Sequence, residues 1–121
     1  MFISIICPSY NSSAFISKTV ESILNQTYQK FEVIFSDDGS SDETVNILKK
    51  FKLLFQKKNI SVKIIKNNHK GPGFVRNEAL KVASHDWIAF IDSDDLWTKD
   101  KLKEAVQEIK KNGSLNCVLH R

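Results

Sequence analysis

A chain of 121 residues with 41% hydrophobic and 26% charged side chains has the composition of an ordinary soluble protein and the length of one domain with one core. Its net charge of +4 is spread over lysines such as Lys49, Lys50, Lys101 and Lys110, with no nucleic-acid motif beside them, so it supports no more than loose attraction to an anionic membrane surface. No run approaches the roughly 20 apolar residues that span a bilayer, and neither the cysteines (Cys7 and Cys117) nor the scattered histidines (His69, His85 and His120) have metal-ligand spacing.

The opening "MFISIICPSYN" lacks a basic region and a small-residue cleavage site, so it reads as a strand over 2–7 rather than a signal peptide. Ile16, Val20, Ile23 and Leu24 then repeat at helical spacing. "FEVIFS" (31–36) is the second strand, and Ser40 with Glu43 reads as a capping box for a helix carrying Val45, Leu48, Phe51 and Phe55. "VKII" (62–65) is the third strand. Gly71, Pro72 and Gly73 mark a turn before a third helix with Val75, Ala79 and Val82. "WIAFI" (87–91) is the fourth strand. Thr98 is a candidate N-cap for a fourth helix with Leu102, Ala105, Val106 and Ile109, and "CVL" (117–119) is a fifth strand. Both cysteines fall in apolar segments and read as buried reduced thiols, which fits a cytosolic protein.

Strands alternating with helices predict an α/β fold: three layers, α/β/α, around a mostly parallel sheet with right-handed crossovers. Ligands in such folds bind at the carboxyl ends of the strands, near the point where strand order reverses. Four polar clusters fall there: "PSYN" (8–11), "DDGSSD" (37–42), "NNHKGPG" (67–73) and "DSDD" (92–95). A strand order of 3-2-1-4 sets the first and last of these face to face.

Each cluster has a plainer explanation. Asp92 and Asp94 project to one side of an extended chain, with Ser93 opposite. Two carboxylates beside open space suit Mg²⁺ or Mn²⁺ with phosphate oxygens, but acidic residues also favour a helix start. Asp37 and Asp38 fit either an acidic turn or an acceptor for the N–H of a pyrimidine or for ribose hydroxyls. Pro8, Ser9, Tyr10 and Asn11 fit either turn chemistry or contact to a base, with Tyr10 able to stack. Arg76 beside Asn77 is either an exposed cation or a partner for carboxylates or phosphate. Trp97 reads as a core anchor.

Taken together, "ISIICPSYN", "VIFSDDGSSDET", "GPGFVRNEAL" and "WIAFIDSDDLW", in this order and spacing, closely resemble the donor-binding half of glycosyltransferase family 2, from residue 2 to about 110. The resemblance implies the Rossmann-like, nucleotide-binding half of a GT-A fold. It also implies an inverting transfer of sugar from a nucleotide diphosphate, most often UDP, in bacterial surface polysaccharide or glycolipid synthesis. Carried over by position, Pro8, Ser9, Tyr10 and Asn11 line the nucleotide pocket and Asp37 or Asp38 accepts from the base. Asp92 to Asp94 form the D-x-D motif, with Asp94 first and Asp92 second as ligands of Mn²⁺ or Mg²⁺ and with Asp92 or Ser93 near the ribose. Arg76 and Asn77 match the family's Arg-Asn pair, while Lys99 stands where a proline is frequent.

The expected partners are the nucleotide-sugar donor and a glycan or lipid-linked acceptor. No nucleic acid is expected, and peripheral membrane association at the inner cytoplasmic face and self-association are further expectations. Residues 1–121 read as a single domain truncated on its acceptor side, because the catalytic base of an inverting transfer is expected beyond Arg121. A phosphatase of the haloacid dehalogenase type and a response-regulator receiver both need an Asp after the first or third strand, where "PSYN" and "NNHK" stand. The reading that competes best is a catalytically inactive nucleotide-binding or assembly module.

Overall fold

The structure, a computed structural model, describes residues 1–112 and the backbone of 119–120. Strands β1 (Ile3–Ser9), β2 (Phe31–Asp37), β3 (Val62–Lys66), β4 (Trp87–Phe90) and β5 (Leu119–His120) alternate with helices α1 (Ile16–Leu24), α2 (Thr44–Lys57), α3 (Pro72–Val82) and α4 (Lys101–Asn112). All strand pairs are parallel, in the order β3-β2-β1-β4-β5. The expected reversal at β1 is therefore present, with β2 on one side and β4 on the other. The strand expected at 117–119 meets β5 at Leu119; Cys117 and Val118 lie outside the described residues.

Strand side chains alternate between the two faces, and the sequence assigns each face a different load. Ile3, Ile5 and Cys7 of β1 and Phe31, Val33 and Phe35 of β2 share one core with Val20 and Ile23 of α1, Leu48 and Phe55 of α2, and Leu102 and Val106 of α4. Trp97 joins this core, as its place ahead of α4 predicts. Ile6 and Ile34 project to the other face and meet Ala79 of α3. Near the amino end of that face the Glu32 carboxylate is buried. It accepts from the Ser4 hydroxyl at 2.6 Å and from the Ser84 N–H at 2.6 Å, and it pairs with Lys63 at 3.2 Å. Burial opposes ionisation of Glu32, but these partners outweigh it and hold its pKa below the usual value. Cys7 is a free, fully buried thiol; burial pushes its pKa up, and the charges of Asp92 and Asp95 add to that.

Two expected helix caps are corrected. α2 starts at Thr44, and the Ser40 hydroxyl donates instead to the Asp37 carboxylate at 2.6 Å. The carboxylate that serves the start of α2 is Asp42, which accepts from the Thr44 N–H at 2.9 Å. α4 starts at Lys101, later than a cap at Thr98 would place it, and Thr98 contributes its carbonyl, to the Lys101 N–H at 3.1 Å and the Gln26 amide at 2.7 Å.

Candidate functional site

β1 runs two residues beyond its predicted end and takes Pro8 and Ser9 into the sheet. Its pairing with β4 stops earlier: Ile6 is the last partnered residue, and its carbonyl accepts from the Ile91 N–H at 3.0 Å. Pro8 faces the same side two residues later, where its missing N–H leaves nothing unsatisfied. Beyond this point the loops after β1 and β4 border a cleft of about 670 Å³, within the range of small-molecule sites. Pro8, Ser9, Tyr10, Asn11, Asp38, Arg76, Asp92, Ser93 and Asp94 all line it, so nearly every predicted site residue meets in one place. Asn77 is exposed and stands apart from the lining.

Asp37 is the exception among the predicted carboxylates. It is buried behind the wall, and its oxygens accept from the Ser9 hydroxyl at 2.7 Å, the Ser40 hydroxyl at 2.6 Å and the Ser40 N–H at 2.7 Å. Asp38 faces the cleft and holds the next loop by accepting from the Lys70 N–H at 2.6 Å and the Gly71 N–H at 3.1 Å. Gly39 lets the two loops come this close: its φ is +82°, and a Cβ there would sit 3.1 Å from both the Asn67 carbonyl and the His69 N. Asn11, at φ 45°, braces the same turn from the other side by accepting from the Ser41 N–H at 2.8 Å.

After β4 the chain folds back, with the Asp95 N–H donating to the Asp92 carbonyl at 3.0 Å. This turn brings carboxylate oxygens of Asp92, Asp94 and Asp95 within 4.8 Å of one another. Arg76 on α3 faces Asp92 at 3.5 Å. Three like charges at this separation repel, and a divalent cation relieves that repulsion with the hard oxygen ligands it prefers. The residues present therefore fit Mg²⁺ or Mn²⁺, and Asp95, whose Oδ2 accepts from the Asp92 N–H at 3.2 Å, stands beside the two candidate ligands read from the sequence. Ser93 is tied elsewhere: its hydroxyl lies 2.8 Å from that of Ser12, and its carbonyl accepts from the Thr19 hydroxyl at 2.8 Å.

Sequence reasoning missed Ser12, Thr19 and His69. Ser12 lines the cleft, and its N–H donates to the Thr44 hydroxyl at 2.8 Å. His69 also lines the cleft and stacks on Tyr10, with ring centroids 4.4 Å apart. Isolated serines and threonines carry no pattern in a sequence. His69 lies in "NNHKGPG", one of the four rim clusters, but nothing in that segment singles out the histidine among its neighbours.

The sequence profile of glycosyl transferase family 2 matches residues 4–121. The chain is 42% identical over 111 residues to the Escherichia coli UDP-Glc:alpha-D-GlcNAc-diphosphoundecaprenol beta-1,3-glucosyltransferase WfgD, covering 91% of this chain and 42% of that protein. It resembles the crystal structure of Staphylococcus aureus TarS residues 1–349 in complex with UDP, at TM-score 0.83 and 34% identity over 93% of this chain and 33% of that one. It also resembles a Pyrobaculum calidifontis mannosyltransferase in complex with GDP-Man and Mn²⁺, at TM-score 0.81 and 25% identity over 88% of this chain and 32% of that one. The chain thus spans less than half the length of these relatives, over a parallel α/β sheet of the kind found in GT-A enzymes. The chain belongs to glycosyltransferase family 2.

Proposed function

We propose that this chain is the donor-binding part of a metal-dependent glycosyltransferase that takes its sugar from a nucleotide diphosphate, UDP before GDP or dTDP. The observation that carries this reading is the single cleft in which Tyr10, Asp38, Arg76 and the Asp92–Asp94 pair face one another at the reversal of strand order. Tyr10 offers a stacking face and Asp38 a carboxylate acceptor for the base. Arg76 and the amino end of α3, which begins at Pro72, face the same space and favour phosphate. A divalent ion held by Asp94, Asp92 and Asp95 would supply charge neutralisation for the diphosphate as it departs. The UDP complex of TarS and the GDP-Man and Mn²⁺ complex of the mannosyltransferase support this assignment.

The transfer we propose is inverting. An acceptor hydroxyl attacks the anomeric carbon, the bond from that carbon to the diphosphate oxygen breaks, and a general base takes the hydroxyl proton. We assign that base outside these 121 residues. Among the described carboxylates, Asp100 accepts from the Thr27 hydroxyl at 2.7 Å and Glu78 pairs with Lys81 at 2.7 Å, and neither lines the cleft. The diphosphoundecaprenol acceptor in the name of WfgD supports a lipid-linked glycan as acceptor, and we propose that the two meet at the cytoplasmic face of the membrane. No helix among the described residues is long and apolar enough to cross a membrane.

A thermal-shift screen of UDP-, GDP- and dTDP-sugars, each with and without Mn²⁺, tests the reading. A metal-dependent rise in melting temperature with the UDP-sugars is expected. No shift with any nucleotide at millimolar concentration would contradict it and favour a decayed assembly module.

A further inference from the structure

His69 already makes both contacts that the proposed function gives to the base. Its imidazole stacks on Tyr10 with centroids 4.4 Å apart and 29° between the planes. Its Nδ1 lies 3.3 Å from Asp38 Oδ2 and 3.2 Å from the Asp38 carbonyl oxygen. A third ring between two others needs about 3.5 Å on each side, so nothing fits between Tyr10 and His69 as they stand. An aromatic face on Tyr10 and a ring nitrogen at Asp38 are the recognition features of a nucleobase, supplied here by the chain itself.

The main chain around His69 is held on both sides. The Asn67 N–H donates to the Asp37 carbonyl at 2.8 Å, and the Lys70 and Gly71 N–H groups are held by Asp38. The close approach of Gly39 backs the loop from below. The His69 side chain is 63% exposed, in contrast to the 7% of Asp38. Rotation of this ring therefore opens no core and leaves the hydrogen bonds of the loop's own N–H groups in place, giving up only the ring's contacts to Tyr10 and Asp38, which makes it the movable element of the subsite.

We infer that His69 is the resident occupant of the base subsite and sets its affinity, leaving Tyr10 and Asp38 when a nucleobase enters. The inference rests on reading the cleft as a nucleotide site. The apparent affinity for nucleotide is then the intrinsic one reduced by the fraction of molecules with His69 swung out. An aromatic pair of ordinary strength makes that reduction about three- to ten-fold.

The test combines calorimetric titration of UDP with Mn²⁺ and NMR of the His69 ring protons. The variant is His69→Asn, because asparagine accepts the left-handed backbone of this position, where φ is 53°. Unchanged circular dichroism and melting temperature check its fold. His69→Asn is expected to bind UDP about three- to ten-fold more tightly than the wild type. Tyr10→Ala is expected to bind less tightly. In the free wild type the His69 ring signals are expected to carry the upfield shift of a stacked neighbour and to lose it at saturation with UDP.

Equal or weaker binding by His69→Asn, with the wild type binding UDP, would overturn the inference and make His69 a wall of the site. His69 signals unmoved at saturation would overturn it as well. Failure of both proteins to bind any nucleotide would instead sink the nucleotide reading of the cleft, and this inference with it.

Discussion

The hydroxyls of Ser12 and Ser93 lie 2.8 Å apart and join the loop after β1 to the loop after β4 across the mouth of the cleft. Thr19 strengthens the same junction through the Ser93 carbonyl, and Thr44 holds Ser12 from the α2 side. Four hydroxyl residues from four segments thereby fix the distance between the stacking wall and the acidic turn. Ser12→Ala removes the link but leaves both loops otherwise anchored. It should cost about 1 kcal/mol in denaturant unfolding and weaken UDP binding several-fold, because the two halves of the site are no longer held in register. Unchanged affinity would show that the loops are positioned without it.

Asp37 and Asp38, adjacent in sequence, should separate in their effects. Asp37 accepts three hydrogen bonds inside the wall, and an amide there would turn N–H groups toward existing donors. Asp37→Asn should lower unfolding free energy by about 1–3 kcal/mol, with nucleotide affinity in the surviving folded protein close to that of wild type. Asp38→Asn should chiefly lower affinity, since Asp38 faces the cleft and orders the loop that borders it. Urea unfolding and calorimetry on both variants check this. The reverse pattern would assign base recognition to Asp37.

The parallel sheet and the meeting of the rim clusters were legible in the sequence because both follow from patterning, whereas the strand order entered only as a supposition. Near-continuous apolar strands such as Ile3–Cys7 demand cover on both faces, and cover on both faces demands crossovers that put every strand's carboxyl end on one rim. What the sequence left open was competition between partners. Ser40 and Glu43 have capping-box spacing, yet the Ser40 hydroxyl is captured by Asp37, a buried carboxylate that needs donors more than the helix end needs a cap. The same holds for the choice between Asp37 and Asp38, since "DD" carries no sign of which residue faces inward until Ser9 and Ser40 are placed around the first. The Ser12–Ser93 contact joins residues from opposite parts of the chain, and His69 meets Tyr10 only after two turns have formed; neither leaves a local signature.

Acid should weaken the fold in a defined window. Burial opposes ionisation of Asp42, but hydrogen bonds from Thr44 and Ser13 outweigh it and bring its pKa from 3.8 down to about 2. Glu32 is shifted in the same direction. A depressed pKa in the folded state gives stability that is complete above the unfolded value and is lost as pH falls through the folded one. Unfolding free energy should therefore fall between about pH 4 and pH 2, and Glu32→Gln and Asp42→Asn should each flatten that slope. Asp42 is exposed and should contribute the smaller part. A pH profile identical in wild type and both variants would contradict the assignment.

The central claim is that the Asp92–Asp94–Asp95 turn holds a divalent ion for a nucleotide diphosphate lodged between the loops after β1 and β4. Its most direct test is calorimetric titration of UDP into the wild type and Asp94→Ala, each with Mn²⁺ and with a chelator. Asp94 is exposed, so its removal should leave the fold intact. Saturable UDP binding by the wild type with Mn²⁺, abolished by chelation and by Asp94→Ala, is the predicted result. UDP binding of equal affinity in all four titrations, or none in any, would contradict the account.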